Sequence, residues 1–172
     1  MQLRHAQPRG LPQGPAAHAP GGEIPPPHLH LHRYLRLEVP VIAVITGEGN
    51  SGGALALGVA NRVLMLENAV YAILSPEGFA SILWKDAARS AEACELMKLT
   101  APDLLSLGVI DDIVPEPEGG AHLASAIAFR QLDRALTRHL AELDKLSGKA
   151  LAAERWQKFR SMGAAAPNKE EL

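Results

Sequence analysis

The chain has 172 residues, of which 47% are apolar, 21% charged and 4% aromatic, a composition that supports one globular core and excludes disorder throughout. Seventeen Lys and Arg stand against nineteen Asp and Glu, a formal charge of -2, so there is no basic excess for a nucleic acid or an anionic membrane, and neither is expected as a partner. Cys94 is the only cysteine, which excludes an intrachain disulfide; no apolar run reaches membrane-spanning length, and a soluble, cytoplasmic chain is expected.

The composition changes at about Leu37. Residues 1–37 hold seven of thirteen prolines, five of seven histidines, four arginines and one acidic residue, Glu23, without strand or helix period, and are expected to be a disordered tail or a frameshift artefact. Prolines 12, 15 and 20 leave no apolar stretch for a signal peptide. From Glu38 onward there are thirteen basic and eighteen acidic residues, a local charge of -5, and the apolar residues become periodic. Residues 38–120 are expected to form a core, 121–163 a helical hairpin for assembly and 164–172 a tail.

Val39 to Thr46 is a β-branched apolar run that predicts a strand covered on both faces. Gly47 to Gly53 predicts a glycine-rich turn, and Ala54 to Ala60 a small buried helix. Arg62 to Leu66 and Val70 to Leu74 predict short strands. Ser75-Pro76-Glu77 predicts a capped helix start. Further helices are predicted over Ala87 to Lys98 and Ala101 to Leu107, the latter between a Thr100 cap and Gly108. Val109 to Val114 predicts a strand. Phe129, Leu132, Leu136, Leu140 and Leu143 recur at helical spacing as one apolar face, Ser147-Gly148 stops that helix, and Leu151 to Ser161 predicts its hairpin partner. No internal repeat is visible after Leu37.

The chemistry is expected at Gly47-Glu-Gly-Asn-Ser-Gly-Gly53. A strand that opens a helix through such a turn points the free N–H groups of Gly52, Gly53 and Ala54 into one place, where they can stabilise an oxyanion; the glycines leave room for a flat group to approach the main chain. The run matches neither nucleotide-binding glycine pattern. Taken alone, such a strand-to-helix turn is more often a tight packing corner.

The order strand, Gly-Gly helix start, two short strands and Ala101-Pro…Leu-Gly-Val-Ile-Asp-Asp-Ile-Val-Pro115 resembles the crotonase superfamily. Gly47 to Gly58, Ile73-Leu-Ser-Pro-Glu-Gly78, Ala80-Ser-Ile-Leu-Trp-Lys85 and Pro115 to His122 are similar to the α-subunit family of bacterial acetyl-CoA carboxylase carboxyltransferases. The resemblance implies an α/β, crotonase-like β-β-α spiral. It further implies transfer of a carboxyl group from carboxybiotin on a biotin carboxyl carrier protein to acetyl-CoA, giving malonyl-CoA for fatty-acid synthesis. The partners it implies are a carboxyltransferase β subunit, the carrier and biotin carboxylase, in an α2β2 arrangement within an ATP-dependent complex. It places the oxyanion hole on the backbone of Gly52 and Gly53 and substrate contacts on Gly49, Ala54 and Gly78, with no metal. The family continues upstream of the Val39 strand into further strands and an Asp-Thr-Pro-Gly loop that residues 1–37 do not contain, so a truncated or frameshifted subunit is expected. The alternatives are a non-catalytic fragment that keeps only an assembly surface, or another crotonase-like acyl-CoA enzyme.

Other reactive residues have plainer readings. Glu77 is read as a helix-start carboxylate and Ser51 as a capping or structural hydroxyl. His28, His30 and His32 alternate as strand-face ligands would, but without supporting Cys or carboxylates. Cys94 is read as a helix-packing residue, Trp84 and Lys85 as a helix end, and His122 is given no role. Leu55 occupies the position where a hydratase carries a carboxylate, which argues against hydration.

Overall fold

The computed structural model describes residues 27–163. It begins with a helix, α1 (Pro27–Leu35), inside the stretch expected to be a tail. Proline at its first position and His32 and Arg33 in its last turn suit a helix's two ends. Its docking is decided far away in sequence. The guanidinium of Arg155, fully buried, donates to the carbonyls of Tyr34 (2.5 Å), which also accepts from Leu37 N–H, and of Leu37 (2.9 Å) and Val39 (2.9 Å) in the loop that follows. The expected break at Leu37 is thus corrected for residues 27–37; residues 1–26 and 164–172 lie outside the described residues. His28, His30 and His32 fall within this helix and not in the strand their alternation implied.

The rest is a spiral of β-β-α turns. Strands β1 (Ile42–Ile45), β3 (Arg62–Leu66) and β5 (Asp112–Val114) form one parallel sheet in the order β1-β3-β5, and β2 (Glu48–Asn50) pairs in parallel with β4 (Val70–Ala72) in a second. The registers Ile42↔Arg62 and Glu48↔Val70 show successive turns stacked on one another, a structural repeat without sequence repeat. After β2 comes α2 (Ser51–Leu57), and after β4 comes α3 (Pro76–Trp84). The first strand is shorter than Val39 to Thr46 because Val41 is held outside the ladder: its N–H donates to the Asn61 side chain and its carbonyl accepts from Asn61 N–H. Its residues are only half-buried, since β1 lies at an edge of its sheet. The expected glycine turn contains β2, made a strand by pairing with Val70–Ala72 rather than by propensity.

The core is Val63, Leu64 and Met65 of β3 with Ala101, Leu104, Ile110 and Val114. A 3-10 turn, Ala87–Arg89, interrupts the helix expected over 87–98 and leaves α4 (Ser90–Met97); α5 (Ala101–Ser106) follows. Thr100 does not cap α5, its hydroxyl bonding the Asp103 carboxylate at 2.8 Å instead. Cys94 is exposed and its neighbour Ala93 takes the buried position.

Helices α6 (Ser125–Leu143) and α7 (Gly148–Ser161) complete the chain. Their main partners differ, α6 lying on β5 and α7 on α1. The buried line of α6 is Ala128, Ala135, His139 and Leu143; Phe129 and Leu140 of the expected face are exposed, at 69% and 41%. Leu132 and Leu136 of that face are half-buried against the core beside Ala135, and Leu143 is buried. Ser147, read as a stop, caps α7 by accepting from Ala150 N–H at 3.3 Å. No described helix is long and apolar enough to cross a membrane.

Candidate functional site

β2 ends in Asn50, extended at φ -126° and ψ 154°, and the chain turns into α2 through Ser51, whose φ of +67° lies in the left-handed region that side chains adopt at a cost. Asn50 occupies the cap position, yet its side chain accepts nothing from the helix. The N–H groups of Ser51, Gly52 and Gly53, which have no carbonyl one turn back, are left without a cap. Gly52 and Gly53 are exposed, and a Cβ on either would meet nothing within 4 Å. Exposed, uncapped first-turn N–H groups on two glycines with room above their Cα atoms are what an oxyanion needs.

The other expected contacts do not converge with these. Ala54 is the first residue of α2 with a carbonyl one turn behind it; it is half-buried, and its own carbonyl accepts from Gly58 N–H at 2.8 Å. Gly49 packs: a Cβ there would stand 3.1 Å from the Tyr71 ring and 3.3 Å from Ile45. Gly78 spends its N–H on the Ser75 hydroxyl at 3.2 Å, the cap of α3. Glu77 is an exposed first-turn carboxylate of that helix. Trp84 packs edge-on against Phe79 and lies 4.0 Å under the Arg89 guanidinium, while Lys85 ends α3 with φ +59°. His122 is exposed, beside Gly120.

Next to Ser51 is a cavity of about 220 Å³ that sequence reading missed. Ser51 and Leu55 of α2, Tyr71, Leu104, and Phe159 and Met162 from the end of α7 line it. None of its lining side chains is a carboxylate, an imidazole or an amine, and Tyr71 supplies its phenol. Burial pushes the Tyr71 hydroxyl above its ordinary range. Phe159 and Met162 lie about a hundred residues beyond the glycine motif, and no local pattern joins them to it. A wider trough of about 600 Å³ follows β1 from Val41 to Asn50.

Behind the site, a polar hub fixes the start of the spiral to α7. Asn61 is fully buried; its amide N–H groups donate to the Leu151 carbonyl and to Glu154, both at 2.9 Å, and its oxygen accepts from Val41 N–H and Arg155. Arg62 pairs with Glu154 at 2.9 Å and Lys158 with Asp111. Burial by itself would raise the Glu154 carboxyl, but hydrogen bonds from Arg62 and Asn61 and nearby positive charge hold it below the usual range. Burial lowers the Lys158 amine, against the pull of Asp111.

A family model described as acetyl co-enzyme A carboxylase carboxyltransferase-like matches residues 29–163. Acetyl-coenzyme A carboxylase carboxyl transferase subunit alpha of Thermus thermophilus is 56% identical over 134 residues, covering 78% of this chain and 43% of that protein. The protein of the same name from Staphylococcus carnosus is 54% identical over 127 residues, covering 74% and 40%. The chain thus spans less than half the length of these relatives. Among solved structures, a Pseudomonas malonate decarboxylase hetero-tetramer in complex with coenzyme A aligns with a TM-score of 0.59 at 21% identity, over 78% of this chain and 54% of that one. That likeness, with the β-β-α spiral, bears out the crotonase-like α/β fold expected from the motifs.

Proposed function

The chain belongs to the acetyl co-enzyme A carboxylase carboxyltransferase-like family, and from that premise we propose that it supplies the α-subunit half-site for carboxyl transfer from carboxybiotin to acetyl-CoA. The observation that carries the reading is the start of α2, where Gly52 and Gly53 hold uncapped N–H donors and have room above their Cα atoms. Carboxyl transfer moves negative charge onto a ureido oxygen on one side and a thioester enolate on the other. Preorganised N–H groups stabilise such charge without a protein nucleophile. The α2 donors receive the ureido oxygen, and a β subunit serves the thioester. The biotin carrier delivers its substrate here and biotin carboxylase recharges it, in the α2β2 setting and cytoplasmic location the relatives suggest. Residues 121–163, with Phe129 and Leu123 exposed on or beside α6, offer the assembly surface.

Hydration is the competing reaction. It requires carboxylates to handle the proton and the water, and the cavity beside α2 presents Leu55 instead.

The test is malonyl-CoA formation with purified β subunit and biotinylated carrier, using the chain supplemented with the upstream part of a longer relative. Gly53→Pro removes one donor at a helix position that tolerates proline, and the expected loss is about 2.7–4 kcal/mol, a hundredfold or more in turnover, with assembly retained. Undiminished turnover makes the turn a packing corner. Hydration of crotonyl-CoA above the no-enzyme rate would transfer the chain to the hydratase reading.

A further inference from the structure

Helix α2 carries the donors and has little packing of its own to hold it. Ala56 is its one buried residue, so its position is set by what grips the chain on either side of it and by α1, which lies against it. The grip is at Asn61, fully buried four residues beyond the end of α2. Its N–H donates to the Val41 carbonyl at 2.8 Å, and its side-chain oxygen accepts from Val41 N–H at 3.2 Å. The chain from Val41 through β1, β2 and α2 is therefore a loop closed at its base, with Gly52 and Gly53 near its midpoint. The other half of the carboxamide faces α7, donating to the Leu151 carbonyl and to Glu154, both at 2.9 Å, while its oxygen also accepts from Arg155. Arg155 in turn receives the end of α1, so Asn61 and Arg155 together reach α2 from two sides. A carboxamide is the group this place requires, because it accepts on one atom and donates on the other. An aspartate would set a second carboxylate beside Glu154, and an apolar side chain would leave Val41 N–H without its acceptor. A buried polar network with its members paired fixes one arrangement, where apolar packing alone tolerates several.

We propose that Asn61 is a positioning residue for the transfer: held in one orientation by Glu154 and Arg155, it fixes the base of the loop and with it the place where the Gly52 and Gly53 donors stand. The proposal rests on the reading of α2 as the oxyanion site. Asn61 touches no substrate and moves no proton. Misplacing an oriented group by about 1 Å costs on the order of a hundredfold in rate, so the hub on α7 enters turnover through geometry as well as through stability.

The test has two readouts. In the 172-residue chain, the amide resonances of Gly52 and Gly53 report the donors themselves. Asn61→Asp keeps both contacts of the side-chain oxygen but puts carboxylate against carboxylate at Glu154, and it should shift both resonances. Adding Glu154→Gln, which lets residue 154 donate to that carboxylate, should return them toward their parent positions. Glu154→Ala, a milder change at a partly exposed residue, frees the carboxamide on one side and should shift them in the same sense, so the question stays open to an answer if Asn61→Asp does not fold. Ser147→Ala, which weakens α7 elsewhere, should lower the thermal midpoint and leave both resonances in place. In the complex restored with the upstream part of a longer relative, β subunit and carrier, Asn61→Asp should lower kcat for malonyl-CoA formation about 10–100-fold with KM for acetyl-CoA unchanged, and the double variant should recover most of the loss. Glycine resonances unmoved by Asn61→Asp or Glu154→Ala, a kcat that falls only with the folded fraction, or no recovery in the double variant overturns the proposal. Resonances that move and recover while the parent complex makes no malonyl-CoA sink the proposed function and leave Asn61 as the residue that places the turn; an active parent complex that Asn61→Asp does not slow does the reverse.

Discussion

Helices α2 and α7 both start at a small polar residue followed closely by glycine, and they put those residues to opposite uses. At α7 the Ser147 hydroxyl takes up a first-turn N–H, and Gly148 lets the helix approach the chain so closely that a Cβ would stand 2.6 Å from the Glu38 carbonyl oxygen. At α2 the Asn50 side chain caps nothing and the glycines face free space. A glycine against backbone is there for packing; a glycine against nothing, beside unspent donors, leaves room for a ligand. The hub behind α7 continues the contrast, since Asn61 and Arg155 together satisfy carbonyls from three parts of the chain.

Six substitutions probe the contrast. Arg155→Met should have the largest effect, about 3–5 kcal/mol, because it takes from the carbonyls of Leu37 and Val39 the donor they have in Arg155 and leaves the Tyr34 carbonyl and the Asn61 oxygen with one donor each; urea unfolding measures it, and amide exchange at residues 31–37 should lose protection. Retained protection there would show that α1 is held by something else. Gly148→Ala should cost about 1–3 kcal/mol through its clash with Glu38, whereas Gly52→Ala should leave the urea midpoint nearly unchanged, since its Cβ meets no atom. Equal losses from the two would erase the distinction. Ser147→Ala should cost about 1 kcal/mol as a lost cap, and Asn50→Ala less than about 0.5 kcal/mol. The smallest effect concerns pH. The Glu154 carboxyl lies below its ordinary 4.5 when folded, so the stability it contributes is complete above that value and fades as pH falls through the lower folded value. Thermal midpoints of Glu154→Gln should therefore fall less steeply below pH 4.5 than those of the parent; parallel slopes would remove Glu154 from the hub's acid sensitivity.

Where local pattern and tertiary demand agree, the fold was legible. Arg62 to Leu66, four apolar residues after an arginine, is a strand with the bounds expected, and Ser75-Pro76 starts α3 with the cap its residue types imply. The misses come where a distant partner decides. Glu48–Asn50 has no strand propensity and becomes β2 because β4 is beside it. Pro27–Leu35 has too little apolar surface to fold alone and is a helix because Arg155 receives its end. On α6, periodicity identified a helix and turned Leu132, Leu136 and Leu143 inward as they are, but it also put Phe129 and Leu140 on that face, which are exposed, and passed over the buried Ala128 and Ala135, whose burial depends on what packs against them and not on the helix alone. The candidate site divides in the same way. Its donors belong to one short glycine run and were readable, while the walls of its cavity, Phe159 and Met162, come from the far end of the chain.

The bond from Arg155 to Tyr34 spans 121 residues, and that separation has a consequence for synthesis. A ribosome adds about 5–20 residues per second, so roughly 6–24 s pass between the emergence of Tyr34 and that of the arginine that receives it. Throughout that interval the first turn of the spiral is made but unlatched, with β1 open along its outer edge, and the nascent chain is at its most vulnerable to premature strand pairing with neighbours. The last described helix is the one that closes the first, so a stop codon only a few residues short of Arg155 should release a chain that contains all five described strands and still lacks its clasp.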